Sequence, residues 1–345
     1  MNLNRGHLYF LGEENTQDGT LTPLVKIGII RESEKRTSEK RAQEHQTGNP
    51  RRLRLLHDLP SPTVERIETL LHTQFAPRRV GGEWFYLPEA ELLEVVESAE
   101  ARIDEAKTNA SDLGAAQRLE KAMSNGKSLD PDESLNKLHL RLLDVRKQLS
   151  EIKEAEKRLE TAIRQIQSEV PDLLRCIVER SQQPRRSFDE SAFSSAHPGI
   201  AAEFTVEKTK SKKRFILNGT RRHPSTTAID NPGLHAHLGA IDELTTTGRD
   251  AEVLHGSFLA TLALRGPLDW ERDLLQAQLK AACGENEGIT DVCTWVRTST
   301  TAPVLETEAL KTSQPDLYEQ YSREEAAATT FVIARDLGYR LPDNF

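Results

Sequence analysis

A row of apolar residues in the middle of the chain recurs in alternating steps of three and four. Only Glu156 breaks this row, whose other members are Leu135, Leu138, Leu142, Val145, Leu149, Ile152, Leu159, Ile163, Ile166 and Val170. Sustained over about five heptads, the period predicts one long helix with a single apolar seam. The seam faces either a second copy of the chain, which predicts a homo-oligomer formed through this heptad helix, or another helix of the same chain.

Length and charge set broad limits on the rest of the molecule. A chain of 345 residues predicts two or three domains. Apolar residues make up 37% of it and charged residues 29%, which indicates helical or linker regions around smaller globular units. The net charge of -8 is not that of a basic protein, so any surface that binds nucleic acid must be a local patch.

The cysteines and the hydropathy indicate the compartment. Cys176, Cys283 and Cys293 are too few and too scattered for a disulfide framework or a zinc cluster, which favours a reducing environment. The N-terminal "MNLNRGHLYF" lacks the apolar core of a signal peptide, and no apolar run approaches the roughly 20 residues of a membrane span. We therefore expect a soluble, cytoplasmic protein that has no membrane partner.

Strand and helix signals alternate near the N-terminus and predict an α+β domain with a small mixed sheet over residues 1–107. The predicted elements are strands at 7–12 and 24–30, a helix from 33, a strand at 52–59, a helix at 61–75, a strand at 82–87 and a helix from 88. Residues 108–134 are rich in Ser, Asn, Asp, Gly and Lys, which predicts a linker.

The C-terminal half contains an internal repeat with an offset of 117 residues, as from Cys176 to Cys293. The same offset pairs Phe188 with Leu305, Phe193 with Leu310, Pro198 with Pro315 and Phe204 with Tyr321. Each copy predicts a long helix, a strand, a short helix and a final strand, although Gly266 and Pro267 interrupt the second helix. We expect a coiled-coil helix with the first repeat module at 135–218, a linker at 219–250 and the second repeat module at 251–345.

Several N-terminal side chains have chemistry suited to phosphodiester hydrolysis, which needs cations, activated water and proton transfer. Arg41 and His45 lie at i and i+4 on one helical face, where arginine can hold a phosphate and histidine can move a proton. Glu68 can ligate Mg²⁺, and Tyr9 can orient or deprotonate water. Each of these residues alone is more often ordinary surface or core, so residue type and spacing do not decide the function.

The ordered combination resembles the GIY-YIG endonucleases, in the branch of phage open reading frames and of the meiotically up-regulated gene family. The corresponding stretches are "HLYF", "KIG" at Lys26–Gly28, "RAQEH", "HQTGNPRRLRLL", "ETLLHTQF" and "GEWFYL". They cover residues 6–87. The resemblance implies a nuclease domain that hydrolyses DNA with Mg²⁺ or Mn²⁺, in a setting of phage defence or mobile-element biology.

The resemblance also implies a role for each matched residue. Tyr9 corresponds to the first active-site tyrosine, and Arg41 to the phosphate-binding arginine. His45 corresponds to the accessory base or hydrogen-bonding histidine, and Glu68 to the metal ligand. Gly28 would let the strand come close to the site and its nucleic acid.

Two positions depart from the family pattern. Lys26 replaces the tyrosine of the second tripeptide, which leaves open whether Lys26 or Tyr9 activates water. Glu83 lies fifteen residues after Glu68, where many relatives have asparagine. It is either a second carboxylate at the metal or a structural partner of Arg79.

Basic residues outside these motifs have two interpretations each. They either contact phosphates of the nucleic acid or form an ordinary charged edge of the protein. These residues are Arg51, Arg52, Arg54, Arg78 and Arg79 near the site, and the segments 208–215 and 219–224 in the C-terminal half. We expect the repeats to serve target binding, self-association or partner docking. The leading hypothesis is a metal-dependent DNA endonuclease, and the alternatives are a catalytically inactive nucleic-acid-binding protein and a scaffold.

Overall fold

The computed structural model of the chain describes residues 1–169, 176–181, 183–219, 228–242, 248–325, 329–338 and 341. Val170 of the apolar row and most of the basic segment 219–224 lie outside the described residues. No helix in the described ranges is both long enough and apolar enough to cross a bilayer.

The N-terminal region is built on a five-stranded sheet. Its elements are β1 (Gly6–Glu14), β2 (Leu21–Arg31), α1 (Ser38–Gln46), β3 (Leu53–Ser61), α2 (Val64–Gln74), β4 (Arg79–Gly81), β5 (Trp84–Tyr86) and α3 (Glu89–Thr108). The strand order in the sheet is β3-β1-β2-β5-β4. The predicted order and the α+β class are confirmed. The mixed sheet is wrong: β2 and β3 run in the same direction, but β1 lies between them, so every neighbouring pair is antiparallel.

The rest of the chain combines long helices with narrow two-stranded pairings. Its elements are α4 (Ala110–Leu119), β6 (Ser128–Leu129), α5 (Glu133–Glu169), β7 (Ile177–Ser181), β8 (Arg185–Phe188), α6 (Glu190–Ala196), α7 (Pro198–Glu203), β9 (Thr205–Leu217), α8 (Pro232–Asp242), α9 (Gly248–Cys283), β10 (Gly288–Ile289), β11 (Cys293–Leu305), α10 (Thr307–Ser313), α11 (Pro315–Gln320), β12 (Ser322–Glu325) and β13 (Thr329–Ile333).

The apolar row forms the long helix α5, as predicted, and its partner is α9 of the same chain. Val145 and Leu159 of the seam are fully buried in clusters that also contain residues of α9. Glu156, the one polar residue of the row, lies 3.5 Å from the guanidinium of Arg265 on α9. The described part of the seam, from Leu135 to Ile166, therefore faces a helix of the same chain, and the homo-oligomer predicted through it stays a prediction without support from this packing.

Both predicted linkers contain a packed helix. Helix α4 lies within 108–134 and buries Leu113 and Ala116 with Ala277 of α9. Helix α8 lies within 219–250 and buries Leu234 against α5. Their polar composition is typical of linkers, but a few apolar residues at helical spacing are enough to attach each helix to the paired long helices α5 and α9.

Helix α9 also joins the N-terminal region to the rest of the chain. Trp270 is fully buried in the core of the N-terminal sheet and donates its indole N–H to Glu105 at 2.7 Å. The predicted interruption at Gly266 and Pro267 is wrong, since α9 runs through both. A side chain at Gly266 would place its Cβ 3.1 Å from the backbone N of Gln74, so this glycine permits the close approach of α2.

The two repeat copies have the predicted order of elements, with the short helix divided in two, but they do not form separate modules. Strand β7 pairs with β13, β8 with β12 and β9 with β11, so each copy's strands pair with strands of the other copy. Helices α6, α7, α10 and α11 share one small cluster centred on Phe193 and Tyr318. We call this cluster the tip.

Candidate active site

Tyr9 and Gly28 form the floor of a polar site on the N-terminal sheet. They are directly paired across β1 and β2, and Tyr9 is almost fully buried. A Cβ at position 28 would lie 2.4 Å from the Tyr9 hydroxyl oxygen and 2.6 Å from Cζ. Glycine is therefore required because the tyrosine ring lies across this strand. Gly28 is itself buried against Tyr9, and its contact with nucleic acid stays a prediction.

Helix α1 brings Arg41 and His45 over this floor. Lys35 has the left-handed φ of 50°, which ends a short 3-10 turn and delays α1 beyond the predicted start at 33. Thr37 then caps α1 by accepting a hydrogen bond from the backbone N–H of Lys40. In this position His45 Nε2 lies 3.2 Å from the Tyr9 hydroxyl.

The environment sets the protonation of this hydrogen-bonded pair. Burial raises the pKa of Tyr9 to about 12, although a hydrogen bond with Arg41 acts against this. Burial, followed by the positive charges of Lys26 and Arg41, lowers the pKa of His45 below its ordinary value of 6.5. At neutral pH the phenol is therefore protonated and the imidazole neutral, so Tyr9 can donate its hydrogen bond to Nε2.

Arg41 extends over the same site from a partly exposed position. Its guanidinium lies 2.8 Å from Glu44, which also pairs with Arg36 at 3.2 Å. The tyrosine hydroxyl and the arginine also influence each other's pKa through a hydrogen bond. Arg41 can therefore present its remaining donors to a phosphate beside Tyr9.

Lys26 and Glu83 form an ion pair at the edge of the site. Lys26 is only 8% exposed, and its ammonium group donates to Glu83 while lying 6.0 Å from the centre of the Trp84 ring. Burial opposes ionisation of Glu83, but the hydrogen bond and charge of Lys26 hold its pKa below the ordinary value. Of the two alternatives for Glu83, a metal ligand or a partner of Arg79, the structure shows a structural partner, but this partner is Lys26.

Glu68 is the carboxylate that lacks such a partner. It is half-buried on α2, and no described residue donates a hydrogen bond to it or forms an ion pair with it. Burial, followed by the negative charge of Glu83, raises its pKa to about 7. A cation would relieve both effects, so Glu68 fits a divalent metal ion.

The donor set limits which ion that can be. Among the described residues, no group of three or more His, Cys, Asp and Glu side chains is arranged to hold a metal. Zn²⁺ normally needs such a group, whereas Mg²⁺ is often held by one carboxylate and several waters. Glu83 is occupied by Lys26, so Glu68 is the better ligand of the two.

His72 attaches α2 to the sheet rather than facing a metal. Its Nε2–H donates to the carbonyl of Ile27 at 3.2 Å, and its ring centre lies 5.2 Å from that of Phe85. Burial, followed by the charge of Arg79, lowers its pKa to about 4. The neutral ring therefore holds the helix that carries Glu68.

The arginines predicted to bind nucleic acid already have partners in the chain. The pairs are Arg51 with Glu13, Arg52 and Arg54 with Glu14, and Arg78 with Glu91. Arg79 differs, since it is partly buried near Glu68 and Glu83, and its carbonyl accepts a hydrogen bond from the backbone N–H of Leu337. The segment that follows β13 thus lies beside the polar site.

The sequence interpretation missed two charged residues that act on the site. Glu44 holds Arg41, and its i+3 spacing from that arginine was a usable signal. Arg31 pairs with Glu65, and its positive charge acts against the rise of the Glu68 pKa. Nothing in the linear pattern connects Arg31 with α2.

Residues 6–100 match the model of the T5orf172 domain. This family is associated with GIY-YIG-like and phage endonuclease-type domains, so the match indicates a nuclease-type domain. No curated protein and no solved structure matched the chain. The matched residues 6–100 include the whole N-terminal sheet, α1, α2 and every residue of the polar site.

Proposed function

We propose that the T5orf172 domain is a GIY-YIG-type endonuclease that hydrolyses DNA phosphodiester bonds with Mg²⁺ or Mn²⁺. The observation that supports this most directly is the Tyr9–His45 hydrogen bond, which lies close enough to Glu68 for the carboxylate charge to affect the pKa of Tyr9. Glu68 has no partner among the described residues, and its pKa is about 7. A fold that only bound DNA would have no need to shift these protonation states.

The proton of the attacking water passes to the Tyr9–His45 pair in this mechanism. Tyr9 accepts that proton on its oxygen as its own hydroxyl proton moves to Nε2 of the neutral His45. The pKa of Tyr9, about 12, makes the isolated phenol too weakly acidic to ionise beforehand, so the transfer needs the histidine. Lys26 is held by Glu83, and its charge helps to keep His45 neutral until the proton arrives.

Arg41 and Glu68 act on the phosphate. The donors of Arg41 that do not contact Glu44 bind phosphate oxygens and stabilise the negative charge that develops on them. Glu68 would hold Mg²⁺ or Mn²⁺, and the bound ion would supply further charge neutralisation at the phosphate. Glu83 contributes through Lys26 rather than as a second ligand.

A nicking assay on supercoiled plasmid tests the proposal. The full chain is incubated with Mg²⁺ or Mn²⁺, with EDTA as the metal-free control, and compared with Arg41→Ala and Glu68→Gln. We expect metal-dependent nicking that falls by about 10²–10³-fold in each variant, the loss typical when one group that stabilises a transition state is removed.

Two neighbouring substitutions serve as matched controls. Lys40→Ala removes an exposed cation from the same helix as Arg41, and Glu94→Gln removes an exposed carboxylate from α3. Both should nick at the unmodified rate. DNA binding without nicking under either metal would refute the proposal and favour the inactive nucleic-acid-binding alternative.

A further inference from the structure

The pairing of β9 with β11 makes a ribbon of thirteen residues in each strand, which we call the β9–β11 ribbon. At one end Leu217 and Trp295 are buried in the body of the molecule, and at the other Leu305 is buried in the tip. Between these ends, all residues of β9 from Thr205 to Arg214 are exposed. Side chains of a strand alternate between faces, so this exposure leaves both faces of the ribbon open to solvent.

The charge of the β9–β11 ribbon is opposite to that of the whole chain. Its two strands expose one carboxylate, Glu207, and five basic residues of β9: Lys208, Lys210, Lys212, Lys213 and Arg214. The basic residue of β11, Arg297, is buried and adds nothing to this surface. The whole chain has a net charge of -8. A local basic patch on an acidic protein indicates selection for a polyanion at that place rather than general solubility.

One face of the β9–β11 ribbon carries most of this charge. Lys208, Lys210, Lys212 and Arg214 alternate along β9 and therefore share a face, at steps of about 6.8 Å. Lys208 is paired with Glu306 at 2.9 Å, whereas Lys210, Lys212 and Arg214 form no ion pair with any described residue. The face thus presents three cations that are free to meet an external anion.

Hydroxyl groups complete the surface. Thr300 lies directly opposite Lys210 and Thr298 directly opposite Lys212, so both share the cationic face. On the other face, Thr209 and Thr301 are hydrogen-bonded at 3.1 Å, next to Ser211 and Ser299. Lysine, arginine, serine and threonine are among the side chains that contact DNA phosphates, and a two-stranded ribbon fits the major groove of B-form DNA.

We propose that the β9–β11 ribbon binds the backbone of double-stranded DNA through Lys210, Lys212 and Arg214, with the hydroxyls of Thr298 and Thr300 as further phosphate contacts. The choice of DNA as the polyanion rests on the proposed nuclease function. The ribbon then holds the duplex by charge, without reading sequence, while the T5orf172 domain cuts it. Lysines on an exposed strand also prevent aggregation, but that role does not require contact with DNA.

Binding of a labelled duplex to the full chain in EDTA tests this inference, because nothing is cleaved without metal. The variant K210Q/K212Q/R214Q is compared with the control K137Q/K153Q/K157Q, which removes three exposed lysines from α5. Each lost phosphate contact lowers the slope of log affinity against log salt by about 0.9. We therefore expect the ribbon variant to lose about three units of slope and the control to lose none, with Kd raised at least ~10-fold only in the ribbon variant.

Three results would overturn the inference. They are an unmodified Kd and slope in the ribbon variant, equal losses in both variants, and no binding by the unmodified chain. Tighter binding of an RNA duplex than of the DNA duplex would overturn the choice of DNA. Thermal unfolding of both variants, expected at the unmodified temperature because all six side chains are exposed, excludes misfolding as the cause.

The same proteins in the nicking assay separate this inference from the proposed function. Ribbon-dependent binding without any metal-dependent nicking would leave the ribbon assignment in place and remove the nuclease. If the unmodified chain nicks DNA and the ribbon variant binds the duplex with the unmodified affinity, the nuclease function stands and the ribbon assignment falls.

Discussion

The polar site of the N-terminal sheet and the β9–β11 ribbon use charged residues in opposite ways. In the site, Lys26 and Glu68 are mostly removed from solvent, and neighbouring groups set the charge or the pKa of each. In the ribbon, Lys210 and Lys212 are exposed and form no ion pair with any described residue. Catalysis needs defined positions and protonation states, which require burial, whereas attraction of a polyanion needs only a dense charge that water can reach.

The pH dependence of ligand affinity should show the largest difference between the two regions, because metal binding at Glu68 requires the loss of a proton. The carboxyl of Glu68 has a pKa of about 7 and must lose its proton to bind a cation, so Mn²⁺ affinity should fall about tenfold for each pH unit below 7 and level off above it. Isothermal titration at several pH values measures this. Glu68→Gln should abolish the binding, and a pH-independent affinity would contradict the assignment of Glu68.

The β9–β11 ribbon provides the contrast for that experiment. It contains no histidine, so its affinity for a duplex in EDTA should stay constant over the same pH range. If the affinity for the duplex fell with decreasing pH in the same way as the affinity for the metal, this distinction between the two regions would be lost.

Folding stability should depend on His72 in acid. Its pKa is lowered from 6.5 to about 4 in the folded protein, so below pH 6.5 the unfolded chain binds a proton that the folded chain does not. Stability that is complete above 6.5 should fall by up to about 3 kcal/mol as the pH drops to 4. Urea unfolding at pH values across this range should show a clearly flatter dependence for His72→Gln, and equal dependences would rule out His72 as the cause.

Alanine substitutions at a glycine of the site and at an exposed glycine of α9 should have opposite effects on stability. Gly28→Ala places a methyl group 2.4 Å from the Tyr9 hydroxyl, so it should destabilise the fold by about 1–3 kcal/mol and separate Tyr9 from His45. Gly256→Ala on the exposed side of α9 has nothing within 4 Å and should stabilise by about 0.5–1 kcal/mol. Urea unfolding measures both, and a stabilising Gly28→Ala would mean that the tyrosine ring can move aside.

The smallest effect is expected within the β9–β11 ribbon. A double-mutant cycle of Thr209→Ala and Thr301→Ala should give a coupling of about 0.2–1 kcal/mol, because this hydrogen-bonded pair is exposed to water. The same cycle with Tyr9→Phe and His45→Gln should give a larger value, since that pair is shielded from water. Equal couplings would show that burial does not distinguish the two regions.

Local patterns made much of the N-terminal region predictable. The strand and helix order followed from turn residues and apolar spacing, and Arg41 and His45 share the α1 face that their i, i+4 spacing predicts. The role of Gly28 was not predictable, since it depends on which residue of β1 pairs with it. The same holds for Lys26 and Glu83, which meet only after β2 pairs with β5.

The sequence by itself determined the features that depend on period and repetition: the long helix α5, the duplicated strand–helix–strand order and the basic run on β9. Only the tertiary structure decided what each of them meets. The seam of α5 faces α9 instead of a second chain, the repeat copies pair with each other, and Glu68 has a raised pKa because α2 and the sheet bury it near Glu83. The physical reason is that periodicity identifies the apolar or charged face of an element, whereas burial and pKa depend on which distant residues pack against that face.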